Sequence, residues 1–153
     1  MKTFLLKNNV PIIKWGLLPD NVFFEGKIIE GYDLAVAPNQ PYIIIDVDRH
    51  GKVDGFTNLP KNLLSELKAT FSYPTKNNGR HYWFWYTGDN VLMNKASNQG
   101  IDLRIGANEN NGGYVKWHPR DSMDIREQLD KINETSPNMN KWLVSLFGYV
   151  NKK

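Results

Sequence analysis

The sequence has 153 residues and no cysteine. That excludes disulfides, thiolate catalysis and cysteine-ligated zinc, and it fits a reducing cytosol. No apolar run approaches the length needed to span a bilayer, so no membrane partner is expected. Residues 1–9 lack a true apolar h-region and a small-residue cleavage site, so no signal peptide is expected. Charge of one sign is also scarce. Nineteen Lys and Arg stand against sixteen Asp and Glu, for a net charge of +3. A balance that mild is compatible with a polyanionic partner but does not point to one. Repeats, low-complexity tracts and linkers are absent, and the length suits one core, so a single domain over residues 1–153 is expected. Aromatic residues, in contrast, are plentiful. Five Trp, seven Tyr and seven Phe mark a globular chain.

The most informative stretch is Pro41–Gly51, which reads Pro-Tyr-Ile-Ile-Ile-Asp-Val-Asp-Arg-His-Gly. Its β-branched run predicts a buried strand. Strand alternation puts Ile43, Ile45 and Val47 on one face and Asp46 and Asp48 on the other. Two carboxylates are then held roughly 6–7 Å apart along the strand. Like charges that close need an offset, and a divalent cation with hard oxygen ligands supplies one.

Around this strand, Val10–Trp15 reads as extended, with Lys14 able to reach a site. Residues 17–27 read as loop. Asp33–Ala37 predicts a strand, and Asn39–Pro41 the turn into the acidic one. Arg49–Asn58 reads as loop. Leu59–Ala69 carries Leu63, Leu64 and Leu67 at helical spacing, with Pro60 near its start. Residues 70–79 read as loop, and His81–Tyr86 as a central aromatic strand. Ile101–Trp117 predicts a hairpin turning at 108–113. Asp121 or Ser122 is expected to cap a helix bearing Ile125, Leu129 and Ile132. Ser136-Pro137 opens a second helix, with Met139, Trp142, Leu143, Leu146, Phe147 and Val150 on its apolar face. This order predicts an α+β fold, a mixed but mostly antiparallel sheet with helices packed on it.

Three stretches can converge on one site. Asp46-Val47-Asp48 is the first, and Gly79-Arg80-His81, a glycine turn into the aromatic strand, is the second. The third is Gly100-Ile101-Asp102-Leu103-Arg104, where Asp102 and Arg104 again oppose an apolar face. Asp46, Asp48 and Asp102 beside an Arg and a His suit nucleotidyl transfer. Three carboxylates can hold two divalent ions about 4 Å apart, and the cationic side chains can clamp a triphosphate. Magnesium is the default ion, with manganese as a substitute. Each piece also has a plainer explanation. Asp-x-Asp occurs in many turns, His81 can be a core histidine, and Asp102 with Arg104 can be a surface ion pair worth little. Asp46–Asp54 partly matches an EF-hand loop, with Gly51 at its sixth position. However, Thr57 stands where the bidentate glutamate belongs, and the preceding residues read as strand. One set of the aromatic side chains at 81–86 could stack on bases, but core packing on both faces is the simpler expectation. His50 and His118 read as loop residues without a role.

The order and content of these motifs resemble the primase–polymerase (prim-pol) domain of the archaeo-eukaryotic primase superfamily, found in phage, plasmid and mobile-element replication proteins. The resemblance covers about Lys14 to Pro119. It rests on Ile45-Asp46-Val47-Asp48 with His50-Gly51, then Pro74–Phe84 with Gly79-Arg80-His81, then Gly100–Arg104, and then Gly112-Gly113-Tyr114-Val115 before Pro119. It implies an RRM-like sheet, the archaeo-eukaryotic primase catalytic core. It implies that Asp46, Asp48 and Asp102 are catalytic metal ligands for Mg2+ or Mn2+ in a two-metal site. It implies that His81 contacts the phosphates of the incoming nucleotide, with Arg104, Arg80 and Lys14 as further phosphate contacts. The implied activity is that of a DNA primase or polymerase in a host cytoplasm. Its partners would be a single-stranded or primed DNA template, (d)NTPs and a separately encoded replicative helicase.

The alternative from another class is a non-catalytic single-stranded nucleic-acid-binding module that keeps the fold. It predicts salt-dependent binding that needs neither metal nor triphosphate. A glycosyltransferase using Asp-x-Asp to hold a nucleotide sugar is a third class, but nothing here resembles the Rossmann-type halves such enzymes need.

Overall fold

The computed structural model describes residues 1–106, 113–119 and 124–148. The chain is mixed α+β, with two mostly antiparallel sheets packed against each other and two α-helices. The first sheet contains β1 (Lys2–Lys7), β2 (Val10–Pro11), β3 (Tyr32–Ala37) and β11 (Val115–Lys116), in the order β11-β3-β1-β2. The second is built on β4 (Tyr42–Val47). On one side of β4 lies β10 (Ile101–Arg104), itself flanked by β9 (Lys95–Ala96); on the other lies β8 (Arg80–Trp85). The outer edge of β8 is shared by β7 (Ser72–Pro74) and by β12 (Asn133–Glu134), which runs parallel to it. Between β4 and this system, β5 (Arg49–His50) and β6 (Val53–Asp54) form a small hairpin.

The alternation along β4 sorts its side chains as expected. Ile43, Ile45 and Val47 share a core with Tyr82, Phe84, Ile101 and Leu103. Covering this face are α1 (Leu64–Ala69), with Leu67, and α2 (Pro137–Phe147), with Met139, Leu143 and Phe147 spaced four residues apart. Ser136 caps α2, its hydroxyl accepting from the Met139 N–H at 3.1 Å, and Pro137 occupies the first turn. The acidic face of β4 is the less expected one. Ile44 lies there, fully buried, with Trp83, Phe71, Tyr73, Val36, Val115 and Trp117. The first sheet therefore covers most of this face and leaves only its Asp46 end open. A third cluster, Phe4, Leu6, Trp15, Ala35 and Ala37, fills the outer side of the first sheet.

Four local expectations are corrected. Ile101–Trp117 is not a hairpin: both edges of β10 are taken, by β4 and β9, and β11 pairs with β3 in the other sheet. The expected turn at 108–113 lies outside the described residues apart from Gly113. Ile125, Leu129 and Ile132 do pack into the inter-sheet core, but through two 3-10 turns, Ile125–Glu127 and Leu129–Lys131, and not an α-helix. The backbone there is drawn into tertiary pairing. Lys131 O accepts from Phe71 N at 3.0 Å, and Asn133 N donates to Thr70 Oγ1 at 3.0 Å. The proposed caps Asp121 and Ser122, and Val150, lie outside the described residues; Asp124 caps the first 3-10 turn instead. Residues 49–58 and 70–79, read as loop, contain the β5–β6 hairpin and β7. β1 is supplied by Lys2–Lys7, for which the sequence offered no assignment. Among the described residues, no helix is long and apolar enough to cross a membrane.

Candidate metal centre

Asp46 and Asp102 face each other directly across the β4–β10 ladder. Carboxylates at opposed antiparallel positions repel, so the sheet gains no stability from this pair on its own. Asp48 follows at the end of β4. Its N–H donates to Gly100 O and its carbonyl accepts from Gly55 N, both at 2.8 Å, which fixes the backbone on two sides. One carboxylate oxygen from each of Asp46, Asp48 and Asp102 lies within 4.8 Å of the others. This is the only such group of three found among the described residues.

The second strand contributes His81, registered opposite Asp46. Its Nε2 lies 3.3 Å from Asp46 Oδ1. The contact is close but poorly aligned, and Asp46 Oδ1 is a buried oxygen without a hydrogen-bond partner among the described residues. A buried carboxylate oxygen is costly to leave unpaired, so the site is chemically incomplete as it stands. Hard carboxylate oxygens converging from two strands fit Mg2+ or Mn2+.

The electrostatics point the same way. Burial alone would raise the Asp46 carboxyl, but the His81 ring, the Arg104 guanidinium and Asp48 outweigh it and hold it below its ordinary value. Asp48 is pushed up to about 6 by burial and by the neighbouring Asp46 and Asp102. Asp102 is also raised, by burial and Asp46, against the pull of Arg104. Asp48 and Asp102 therefore resist ionising beside a charged Asp46, a repulsion that a bound cation would relieve.

A stability consequence follows for Asp48. In the unfolded chain it ionises near pH 4; folded, it keeps its proton to about 6. The folded state binds more protons in between, so this contribution is fully present below pH ~4 and is lost as pH rises through ~6. Asp48 is half-buried, and solvent screening holds the penalty to about 1 kcal/mol. In chelator, Asp48→Asn is expected to melt roughly 2–4 °C above wild type at pH ~7. The gap should close towards pH ~4, measured by thermal melts across that range. Asp46, with its lowered value, works in the opposite direction.

A cleft of about 250 Å3 opens beside the trio, lined by Asp46, Asp48, His81, Arg104, Thr75–Asn77 and residues 114–116 and 118. Arg104 also lies 3.4 Å from Asp102 Oδ2. The other two expected phosphate contacts are not brought here. Arg80 follows strand alternation to the helix-covered face, where its Nε donates to Ser72 Oγ at 2.9 Å. Lys14 is exposed beside Trp15, which is buried on the outer side of the first sheet, and it does not line the cleft. In their place stand Lys76, Lys116 and His118. His118 meets His81 edge to face, 5.5 Å between ring centres, and burial with the adjacent His81 and Lys116 pushes it down to about 4. No local pattern could have pointed to Lys116 and His118, because they arrive from the other sheet. A larger groove of about 1040 Å3 lies along residues 23–34, 116–117 and 124–127 and contains none of the three clustered aspartates. Charges there pair off, Lys116 with Asp33 and Arg126 with Glu25.

No protein-family model matches the chain, and no curated protein matches it.

Proposed function

We propose that this protein is a metal-dependent nucleotidyltransferase of the primase–polymerase type, with Asp46, Asp48 and Asp102 as its metal ligands. The observation that carries the reading is the carboxylate trio, one oxygen from each within 4.8 Å, with the buried Asp46 Oδ1 met only by the poorly aligned His81 ring at 3.3 Å. When bound, Mg2+ or Mn2+ would lower the pKa of an attacking 3′-hydroxyl and neutralise charge on the reacting phosphates. The protein's own contribution is positioning. Asp46 and Asp102, fixed by cross-strand register, and Asp48, fixed by two backbone hydrogen bonds, hold the charge. Arg104 and Lys76 line the cleft beside Asp46 and Asp48 and suit the oxygens of a triphosphate. His81 stands at the boundary between the two groups. The primase-type catalytic core, the DNA template and a separately encoded helicase partner belong to this proposal.

Extension of a primed template, with dNTPs or NTPs and Mg2+ or Mn2+, tests it. Wild type is expected to add nucleotides, and Asp102→Ala to lose that activity while keeping its melting transition. Equal extension by wild type and Asp102→Ala would refute the assignment. Metal-independent binding of single strands without any extension would favour a non-catalytic binding module.

A further inference from the structure

His81 is held from behind as well as in front. Its Nδ1 lies 3.2 Å from the Tyr73 hydroxyl oxygen, and the Trp83 indole Nε1–H donates to that same oxygen at 3.1 Å. All three residues are buried, Trp83 completely. We propose that Trp83 and Tyr73 lock the neutral His81 ring in the tautomer carrying its proton on Nε2, so that it offers the cleft an N–H donor and no lone pair.

An indole N–H can only donate, so Trp83 uses one lone pair of the Tyr73 oxygen and cannot accept the Tyr73 proton. Among the described residues, the only acceptor in hydrogen-bond reach of that hydroxyl is His81 Nδ1. If Nδ1 carried the proton, two donors would face the Tyr73 oxygen and the hydroxyl would be a buried donor with nowhere to go. The satisfied arrangement runs Trp83 N–H to Tyr73 O, then Tyr73 O–H to His81 Nδ1. The ring's proton is then on Nε2, 3.3 Å from Asp46 Oδ1. Which nitrogen is protonated is set by the hydrogen bond the other makes. A protonated Nε2 cannot ligate a cation, which leaves cation binding to the three aspartates. It can donate to an anionic oxygen entering the cleft. That last role rests on the nucleotidyl-transfer reading; the tautomer itself does not. Tyr73 is a positioning residue, acting through His81.

The test is long-range 1H–15N correlation on the metal-free full chain, labelled at histidine, at about pH 8, above the ordinary histidine titration. The three histidines are assigned by substitution. His81 should show a protonated Nε2 and an unprotonated Nδ1, with a slowly exchanging Tyr73 hydroxyl proton coupled to Nδ1. A protonated Nδ1, or no such coupling, overturns the proposal. In Tyr73→Phe the signature should move towards mixed tautomers; an unchanged signature also overturns it. Titration with a nucleoside triphosphate should then show affinity about 10-fold weaker in Tyr73→Phe, with Mn2+ affinity unchanged. Equal losses for both ligands would make Tyr73 merely structural and refute the positioning role. The spectra need neither metal nor nucleotide, so they stand or fall apart from the extension assay.

Discussion

Asp46→Asn is expected to abolish template extension, by at least about 10^3-fold, and to remove the rise in melting temperature that Mg2+ or Mn2+ gives wild type. The substitution is nearly isosteric, and the position is well supported: Asp46 sits mid-site on β4, between His81 on β8 and Asp102 on β10. What changes is charge and hydrogen-bond type. The carboxylate is replaced by an amide, a much poorer ligand for a hard cation. Removing one negative charge also relieves Asp48, whose carboxyl is held up partly by Asp46. The folded state should therefore survive, so loss of activity cannot be ascribed to unfolding. Calorimetric titration with Mn2+ and an extension assay on the same preparation decide the matter. Undiminished metal binding in Asp46→Asn would remove Asp46 from the ligand set. Lost metal binding with unchanged extension would detach the metal from the chemistry.

The acidic strand was legible in the sequence because period-two alternation is local. Ile43, Ile45 and Val47 against Asp46 and Asp48 could be sorted by counting, and Ile101 and Leu103 against Asp102 and Arg104 likewise. Convergence of the two strands then needed only that they be neighbours in one sheet. The α2 helix was legible for the same reason: its cap, its proline and its apolar spacing all lie within a dozen residues. What was not legible is whatever depends on the second sheet. Ile44 shows no sign in the sequence that it faces Val36 and Trp117 across an interface. Nor do Lys116 and His118 show that they end beside Asp46. Arg80 is a different case. It sits next to His81, and the same alternation that gathers Asp46 and His81 turns Arg80 to the opposite face. Adjacency in a motif suggested a shared site where strand geometry separates the pair.

Gly55→Ala is expected to destabilise the fold by about 3 kcal/mol, a drop of roughly 6–12 °C in melting temperature, and to weaken divalent-cation binding. Gly55 is buried behind the carboxylate cluster. A Cβ there would lie 2.2 Å from Gly100 O and 3.0 Å from Asp48 O, both backbone atoms that cannot rotate away. Gly100, the residue it would strike, has a φ of +76° and carries the carbonyl that accepts from Asp48 N. The two glycines thus let the loop after β6 and the turn before β10 meet at the end of β4. Displacing either backbone releases one of the two hydrogen bonds that hold Asp48, so the damage reaches the trio without touching any carboxylate. Thermal melts in chelator and in Mn2+ separate the two consequences. Gly55→Ala should melt lower in both and gain less from Mn2+ than wild type does. A melting temperature near wild type would mean that the β6 loop yields easily and does not brace the site. A large drop with an unaltered Mn2+ gain would mean that Asp48 is held in place by something other than its backbone.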